Sequence, residues 1–171
     1  MVSPEILRRY HFFAMLNDEQ LKAIAMIAQE KTYPKDTLLV KENSPANVLM
    51  LLVEGDVDLI YSGGGEGAIC NALVGSIAPG EILGVSSLIE PYTFISSARC
   101  TMPVKVVEID GTALRALMAV DQKLGYALMC NTAAAVLERL KYTQVELAAA
   151  SSTWVYFRRS STAAAVLHMS A

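Results

Sequence analysis

Four serines near a glycine are the residues in this chain best suited to bind a ligand. Ser86 and Ser87 follow Gly84 closely, and Ser96 and Ser97 come a short distance later. Serine hydroxyls donate and accept hydrogen bonds, and a glycine leaves backbone amides accessible, so this group could hold a small polar or anionic ligand. Serines in such positions serve more often as helix caps and turn residues, and both interpretations stay open at this stage.

The rest of the sequence carries no pattern for catalysis or metal binding. It lacks GxSxG and HExxH motifs, and the glycines at 63–65 lack the Lys-Ser/Thr continuation of a phosphate-binding loop. Cys70, Cys100 and Cys130 lie far apart without CxxC spacing. We therefore expect no enzyme activity, no catalytic residues, no metal and no cofactor, and we interpret the cysteines as free core thiols.

Composition and charge predict a cytoplasmic protein without a membrane segment. Apolar residues make up 53% of the chain and charged residues 18%. No apolar run reaches the roughly 18–20 residues that a membrane span needs, and the N-terminus lacks a signal-peptide core. The net charge is −3, and the last twenty residues contain Arg158 and Arg159 but no acid. The rest of the chain is thus more acidic, which argues against direct nucleic-acid binding.

The elements that would position the serines change in type along the chain. Residues 4–29 show helical spacing, and Asn17 with Gln20 forms a capping box. Short β runs bounded by turn residues follow over residues 32–109, and helical spacing returns after them. This order predicts an α+β fold in which a β-sandwich is flanked by helices. The predicted strands are Thr37–Lys41, Val48–Glu54, Val57–Tyr61, Ile69–Ile77, Phe94–Thr101 and Val104–Ile109.

A long helix is predicted over residues 111–149, with a tail of unassigned structure at 150–171. Apolar residues and one threonine recur along the helix at steps of three and four, as in a coiled-coil seam. A long apolar stripe usually marks an interface, so we expect a homodimer through this helix, although packing within the domain would also explain it. The seam residues are Met129, Ala133, Val136, Leu140, Thr143 and Leu147.

The order of these pieces over residues 5–149 resembles the catabolite-activator and protein-kinase-A regulatory family of cyclic-nucleotide-binding domains. The resemblance rests on the ordered segments at 7–13, 16–21, 33–38, 51–57 and 79–84, followed by the long helix. It implies a jelly-roll domain over 1–149, whose β-roll covers about 32–109 and whose C-terminal helix mediates dimerisation. We expect the tail at 150–171 to contain no DNA-binding module.

The resemblance also assigns a phosphate-binding cassette to residues 84–97. Family members have a Gly–Glu pair whose Glu binds the ribose, and an Arg about ten residues later that neutralises the cyclic phosphate. Gly84 matches the glycine, but Val85 occupies the Glu position and Ile95 the Arg position. Arg99 is the nearest cation; if the strand were regular, it would lie on the same face as Ile95. The resemblance thus implies a pocket of Gly84, Val85, Ser86, Ser87, Ile95, Ser96, Ser97 and Arg99.

These features favour a non-catalytic regulatory sensor or dimerisation domain that does not bind cyclic AMP or cyclic GMP in the usual mode. Its ligand would be another small molecule, or its pocket would be closed by side-chain packing. Two alternatives remain open: a cyclic-nucleotide receptor with a rearranged pocket that uses Arg99, and a transcription-regulator relative that lacks a helix-turn-helix module.

Overall fold

A computed structural model describes residues 2–63 and 72–167 of the chain. The chain divides into two compact units, Met1–Ala135 and Val136–Ala171. The first unit contains the sheets and all helices but the last, together with the beginning of that last helix. The second unit, as far as the structure describes it, consists of the rest of the same helix.

Two short helices and a single helical turn precede the sheets. They are α1 (Pro4–Arg8), a 3-10 helix (His11–Phe13) and α2 (Asp18–Met26). The predicted capping box of α2 is confirmed, since the Gln20 N–H donates to Asn17 Oδ1 at 2.9 Å and Gln20 Oε1 accepts from the Asn17 N–H at 3.1 Å. The helical region ends earlier than the predicted residue 29, because Ala28 already begins the first strand.

The β region consists of two four-stranded antiparallel sheets, which confirms the predicted α+β jelly-roll sandwich. The first sheet has the order β1-β8-β3-β6 and the second the order β2-β7-β4-β5. The strands are β1 (Ala28–Tyr33), β2 (Leu38–Val40), β3 (Val48–Glu54), β4 (Val57–Tyr61), β5 (Ala72–Ile77), β6 (Ile82–Leu83), β7 (Ser97–Cys100) and β8 (Val104–Asp110).

Strand β3 is buried on both faces and separates two apolar cores. Leu49 and Leu51 belong to the core formed with the helices, whereas Met50 and Leu52 belong to the core between the sheets. A strand covered on both sides needs apolar residues at consecutive positions, which explains the continuous run at 48–53. The predicted bounds of this strand are those observed.

The helix predicted over 111–149 is two helices, α3 (Gly111–Val120) and α4 (Gln122–Leu167). Asp121 separates them with an extended backbone, φ −106° and ψ 95°. Its carboxylate accepts the N–H groups of Lys123 and Leu124 at 3.0 Å each, as an N-cap of α4 does, and the Gln20 amide at 2.8 Å. The backbone of α4 also continues beyond residue 149, into the segment predicted as an unassigned tail.

Candidate functional site

The cassette, residues 84–97, connects β6 to β7 and begins at a glycine that no other residue can easily replace. Gly84 has φ +80° and ψ 26°, a left-handed conformation that strains residues with a Cβ. A Cβ placed there would also lie 2.5 Å from the Val48 carbonyl oxygen. The tight passage past β3 therefore requires glycine, whether or not a ligand is bound.

Val85 packs into the protein's interior at the position where the family pattern has its ribose-binding Glu. It begins a 3-10 helix, Val85–Leu88, and its half-buried side chain contacts the core formed with the helices. An isopropyl group accepts no hydrogen bond, so this position contributes only packing. The family's contact to the ribose 2′-hydroxyl has no counterpart at this residue.

The four serines of the predicted pocket do not form one polar cluster. Ser87 is fully buried, and its hydroxyl has no hydrogen-bond partner within the described residues. Ser97 is also buried, but its Oγ accepts the Glu42 N–H at 3.0 Å and thereby joins two strand ends. Ser86 and Ser96 are half-buried. Ser97 thus has a structural role, but it is a residue of strand β7 and not of a turn.

The residue that points inward near the end of the cassette is Phe94, not Ile95. Ile95, at the position assigned to the Arg, is 75% exposed, whereas Phe94 is only 6% exposed. The ring of Phe94 belongs to the core between the sheets and lies 3.5 Å from the position of a Cβ on Gly84. Paired hydrogen bonds to the Asn43–Ser44 segment, at 2.8 and 3.0 Å, fix this backbone direction. An aromatic ring thus fills the space beside the cassette glycine.

Arg99 faces away from the cores. It lies on β7 between Ala98 and Cys100, which are both fully buried in the core between the sheets, while Arg99 itself is exposed. Alternation along the strand places its side chain on the opposite, outer face. The expected even step from residue 95 does not apply, because the regular strand begins only at Ser97.

Arg115 is the cation that reaches the cassette, and it was missed by sequence reasoning. Its Nη1 donates to the Ser87 carbonyl oxygen at 2.5 Å, and its guanidinium carbon lies 4.2 Å from the centre of the Tyr92 ring. Nη2 donates to Thr112 Oγ1 at 3.0 Å. The one sequence signal was its spacing, since Arg115 lies four residues after Gly111 and therefore on the same face of α3.

The predicted seam of α4 is exposed along its length. Met129 is 38% exposed, Leu140 50% and Leu147 66%, and the other seam residues are exposed as well. The first turns of α4 bury a different face, which includes Leu124 and Leu128. The seam residues are therefore not needed for the core of the first unit.

Other features of the described residues suggest no further chemistry. Within ranges 2–63 and 72–167, no group of three or more His, Cys, Asp or Glu side chains could hold a metal ion. No helix in those ranges is both long and apolar enough to cross a membrane. A shallow depression of about 170 Å³ lies between α2 and the α3–α4 junction, lined in part by Gln20 and Leu117 and not by the cassette.

The chain belongs to the cyclic nucleotide-binding domain family. The family model matches residues 30–121, more than half of the chain, and this range contains both sheets from Glu30 onward, the whole cassette and α3. The resemblance inferred from the ordered sequence segments is thereby confirmed at the level of family and fold. This family is regulatory, and the identity of the ligand is a separate question that depends on the cassette.

Relatives with solved structures cover nearly the whole described fold. A protein from Geobacter metallireducens GS-15, whose name assigns it to cyclic nucleotide binding, is 54% identical with a TM-score of 0.74, over 82% of this chain and 99% of that one. The N-terminal domain of a transcriptional regulator from Streptomyces coelicolor is 26% identical with a TM-score of 0.61, over 81% and 94%.

The curated relatives are much longer proteins. Cyclic nucleotide-gated ion channel 17 of Arabidopsis thaliana is 25% identical over 116 residues, which are 66% of this chain and 16% of the channel. The chain spans less than a fifth of the length of each of four such relatives, at 16–18%. The similarity therefore concerns only a part of each of those proteins.

Proposed function

We propose that this chain is a non-catalytic regulatory domain that does not bind cyclic AMP or cyclic GMP in the usual mode of its family. The observation that carries the proposal is the position of Phe94. Its ring fills the core beside Gly84, where the family's cassette would receive the cyclic phosphate. Val85, which replaces the ribose-binding Glu, adds a second apolar side chain to the same cassette.

The electrostatics of the cassette support this proposal. A cyclic nucleotide brings a phosphate charge into a protected site, and a buried charge without a partner is strongly unfavourable. Arg99 lies on the outer face of β7, and the Arg115 guanidinium already binds the Ser87 carbonyl and Thr112. A ligand that entered this cassette would therefore be small and uncharged, or the cassette stays closed by its own side chains.

Isothermal titration calorimetry with cyclic AMP and cyclic GMP tests the proposal. We expect no heat of binding at ligand concentrations up to the millimolar range. Micromolar or tighter binding would contradict the proposal. If binding occurs, the same titration of an Arg99→Ala variant examines the alternative of a rearranged receptor, since that alternative requires the loss of binding in the variant.

We further propose that the chain forms a homodimer through the exposed seam of α4. Burial of this apolar stripe against a second copy would remove it from water, the usual reason for such a stripe. Sedimentation velocity of Leu140→Glu and Val145→Glu provides a matched pair, because both positions are exposed and apolar but Val145 lies away from the seam. We expect only Leu140→Glu to be monomeric; equal behaviour of the two variants would refute the seam.

A second candidate role is the sensor part of a transcription regulator, favoured by the 26% identity to the N-terminal domain of such a protein. The acidic net charge of the chain argues against DNA contacts by this domain itself. An electrophoretic mobility shift with duplex DNA at two salt concentrations tests this, because contacts to DNA phosphates weaken steeply as salt rises. We expect no shift at either concentration, and a salt-sensitive shift would assign DNA binding to the chain itself.

A further inference from the structure

The contacts of Arg115 link the cassette to α3 without any ligand. We infer that Arg115, Ser87 and Tyr92 form an internal clasp that fixes the cassette on α3, so that the cassette's position does not depend on an occupied pocket. This inference deepens the proposed function and rests on it in one respect. It assumes that no cyclic nucleotide holds the cassette in place through its phosphate.

The first part of the clasp is the close approach of α3 to the cassette. The Gly111 N–H donates to the Asn47 carbonyl oxygen at 2.8 Å. A Cβ on Gly111 would lie 3.1 Å from the Ser87 Cβ and 3.0 Å from the Asn47 oxygen. The first turn of α3 therefore lies directly against Ser87, and Arg115, one turn later on the same face, extends this contact.

The second part is the hydrogen bond to the Ser87 carbonyl. Ser87 lies in the last turn of the 3-10 helix Val85–Leu88, where carbonyl oxygens lack partners within the helix. A cation at such an end satisfies the oxygen and interacts favourably with the partial negative charge of the exposed carbonyls. The bond from Nη2 to Thr112 holds the guanidinium in the orientation that this contact requires.

The third part is the stack on Tyr92. This residue has φ +55°, a left-handed backbone that costs a non-glycine residue free energy and persists only where surrounding contacts compensate. The Tyr92 N–H donates to the Ile89 carbonyl oxygen at 3.0 Å, and the Tyr92 carbonyl oxygen accepts the Ala46 N–H at 2.7 Å. The guanidinium above the ring adds a cation–π contact from outside the cassette.

The consequence concerns the start of α4. α3 leads into α4 through the single residue Asp121, so a cassette that is fixed on α3 also fixes the point where α4 begins. Arg115 is in this sense a positioning residue. Its contacts within the chain hold the cassette in the position that a bound ligand would otherwise stabilise. Any signal that reaches α4 would then come from a partner and not from the cassette.

Hydrogen–deuterium exchange of the full chain tests the clasp. We expect Arg115→Ala to accelerate exchange of the cassette amides, residues 84–97, by about tenfold, while exchange in β3 and β8 stays unchanged. Arg9→Ala is the matched control, since it removes an exposed arginine just after α1 and should leave the cassette unaffected. Arg115→Lys should give an intermediate rate, because lysine keeps the charge but loses the planar fork.

Two variants of Tyr92 separate its ring from its backbone. Tyr92→Phe keeps the ring and should exchange like the unchanged protein. Tyr92→Asn tolerates the left-handed conformation but lacks the ring, so it should accelerate cassette exchange without new backbone strain. These variants and Arg115→Lys also serve as the test if Arg115→Ala fails to fold.

Unchanged cassette exchange in the Arg115 and Tyr92→Asn variants would overturn the clasp, as would an equal acceleration over the whole domain. The same measurement with cyclic AMP added to the unchanged protein examines the proposed function separately. Cassette protection by the nucleotide would refute the proposed function, whereas the effect of Arg115→Ala without nucleotide would still decide the clasp.

Discussion

The cassette and the seam of α4 both carry large apolar side chains but differ in what covers them. Phe94 in the cassette is 6% exposed, whereas Leu140 and Leu147 in the seam are 50% and 66% exposed. In the cassette the protein's own fold removes the Phe94 ring from water. In the seam nothing among the described residues does so. This contrast is the basis of the two proposals, that the cassette is closed by its own side chains and that a second copy covers the seam.

Cysteine reactivity gives the largest contrast between the sandwich and α4. Cys100 is fully buried on β7, where burial also raises the pKa of its thiol, while Cys130 on α4 is half-buried. In a Cys70→Ser background, we expect a thiol-specific dye to label Cys130 readily. Cys100 would react only through unfolding, which costs about 5–15 kcal/mol and slows labelling on the order of a thousandfold or more.

The measurement is the time course of labelling, followed by mass spectrometry of the two peptides. Denatured protein, in which both thiols react at comparable rates, is the control. Similar labelling rates in the folded protein would show that the sandwich opens as easily as α4 and would remove the contrast.

Truncation of Phe94 should cause the largest loss of stability. We expect Phe94→Ala to lower the free energy of unfolding by about 3–5 kcal/mol, because it leaves a cavity beside Gly84. Its neighbour provides the control, since Ile95 is 75% exposed and Ile95→Ala should change stability by no more than about 0.5 kcal/mol. Urea denaturation measures both. Equal changes in the free energy of unfolding would mean that the two side chains are equally buried. That result would contradict the proposal that Phe94 closes the cassette.

Substitution of Gly84 tests how closely the cassette backbone approaches strand β3. We expect Gly84→Ala to cost about 3 kcal/mol, from left-handed strain and from the clash with the Val48 oxygen. Gly80→Ala is the matched control, because Gly80 also has a positive φ, +96°, but a Cβ there meets only the Tyr10 ring at 3.9 Å. It should cost about 1 kcal/mol from strain alone. Thermal and urea denaturation measure the stability of both variants. A similar loss of stability in the two would exclude a clash between the new Cβ at position 84 and the Val48 oxygen.

The seam should give the smallest effect on the domain itself. At low protein concentration, we expect Leu140→Ala to change the free energy of unfolding by no more than about 0.5 kcal/mol, as usual for an exposed side chain. At high concentration, the same variant should melt below the unchanged protein, since a dimer stabilises its folded subunits. Val145→Ala is the control, and it should melt like the unchanged protein at both concentrations because it leaves the seam intact. A loss already present at low concentration would mean that the seam serves the domain's own core.

The sequence predicted the strands that carry a strong local pattern and missed those that do not. β3 and β4 were predicted with their observed bounds, because two runs rich in apolar residues are separated there by Gly55 and Asp56. β1 was missed because most of its residues are polar and exposed, as suits a strand at the edge of a sheet. The two-residue strand β6 is too short to show any period.

The candidate site was predictable in position but not in detail. Gly84 and the apolar character of the cassette follow from the sequence. The inward direction of Phe94 does not, since it depends on hydrogen bonds to residues 43 and 44, far away in the chain. Arg115 was missed for the same reason, because its partners Ser87 and Tyr92 are brought to it only when α3 packs on the cassette.

Strand β3 has a consequence for how the first unit unfolds. Its alternate side chains, Leu49 with Leu51 and Met50 with Leu52, complete two different cores. Loss of packing in either core would leave one face of β3 without its apolar contacts and so weaken the other core as well. The helices and the sheets should therefore melt as one cooperative transition, with the same midpoint by helix-sensitive and sheet-sensitive spectroscopy. Phe94→Ala, which damages the core between the sheets, should therefore lower the melting midpoint of the helices and of the sheets by the same amount.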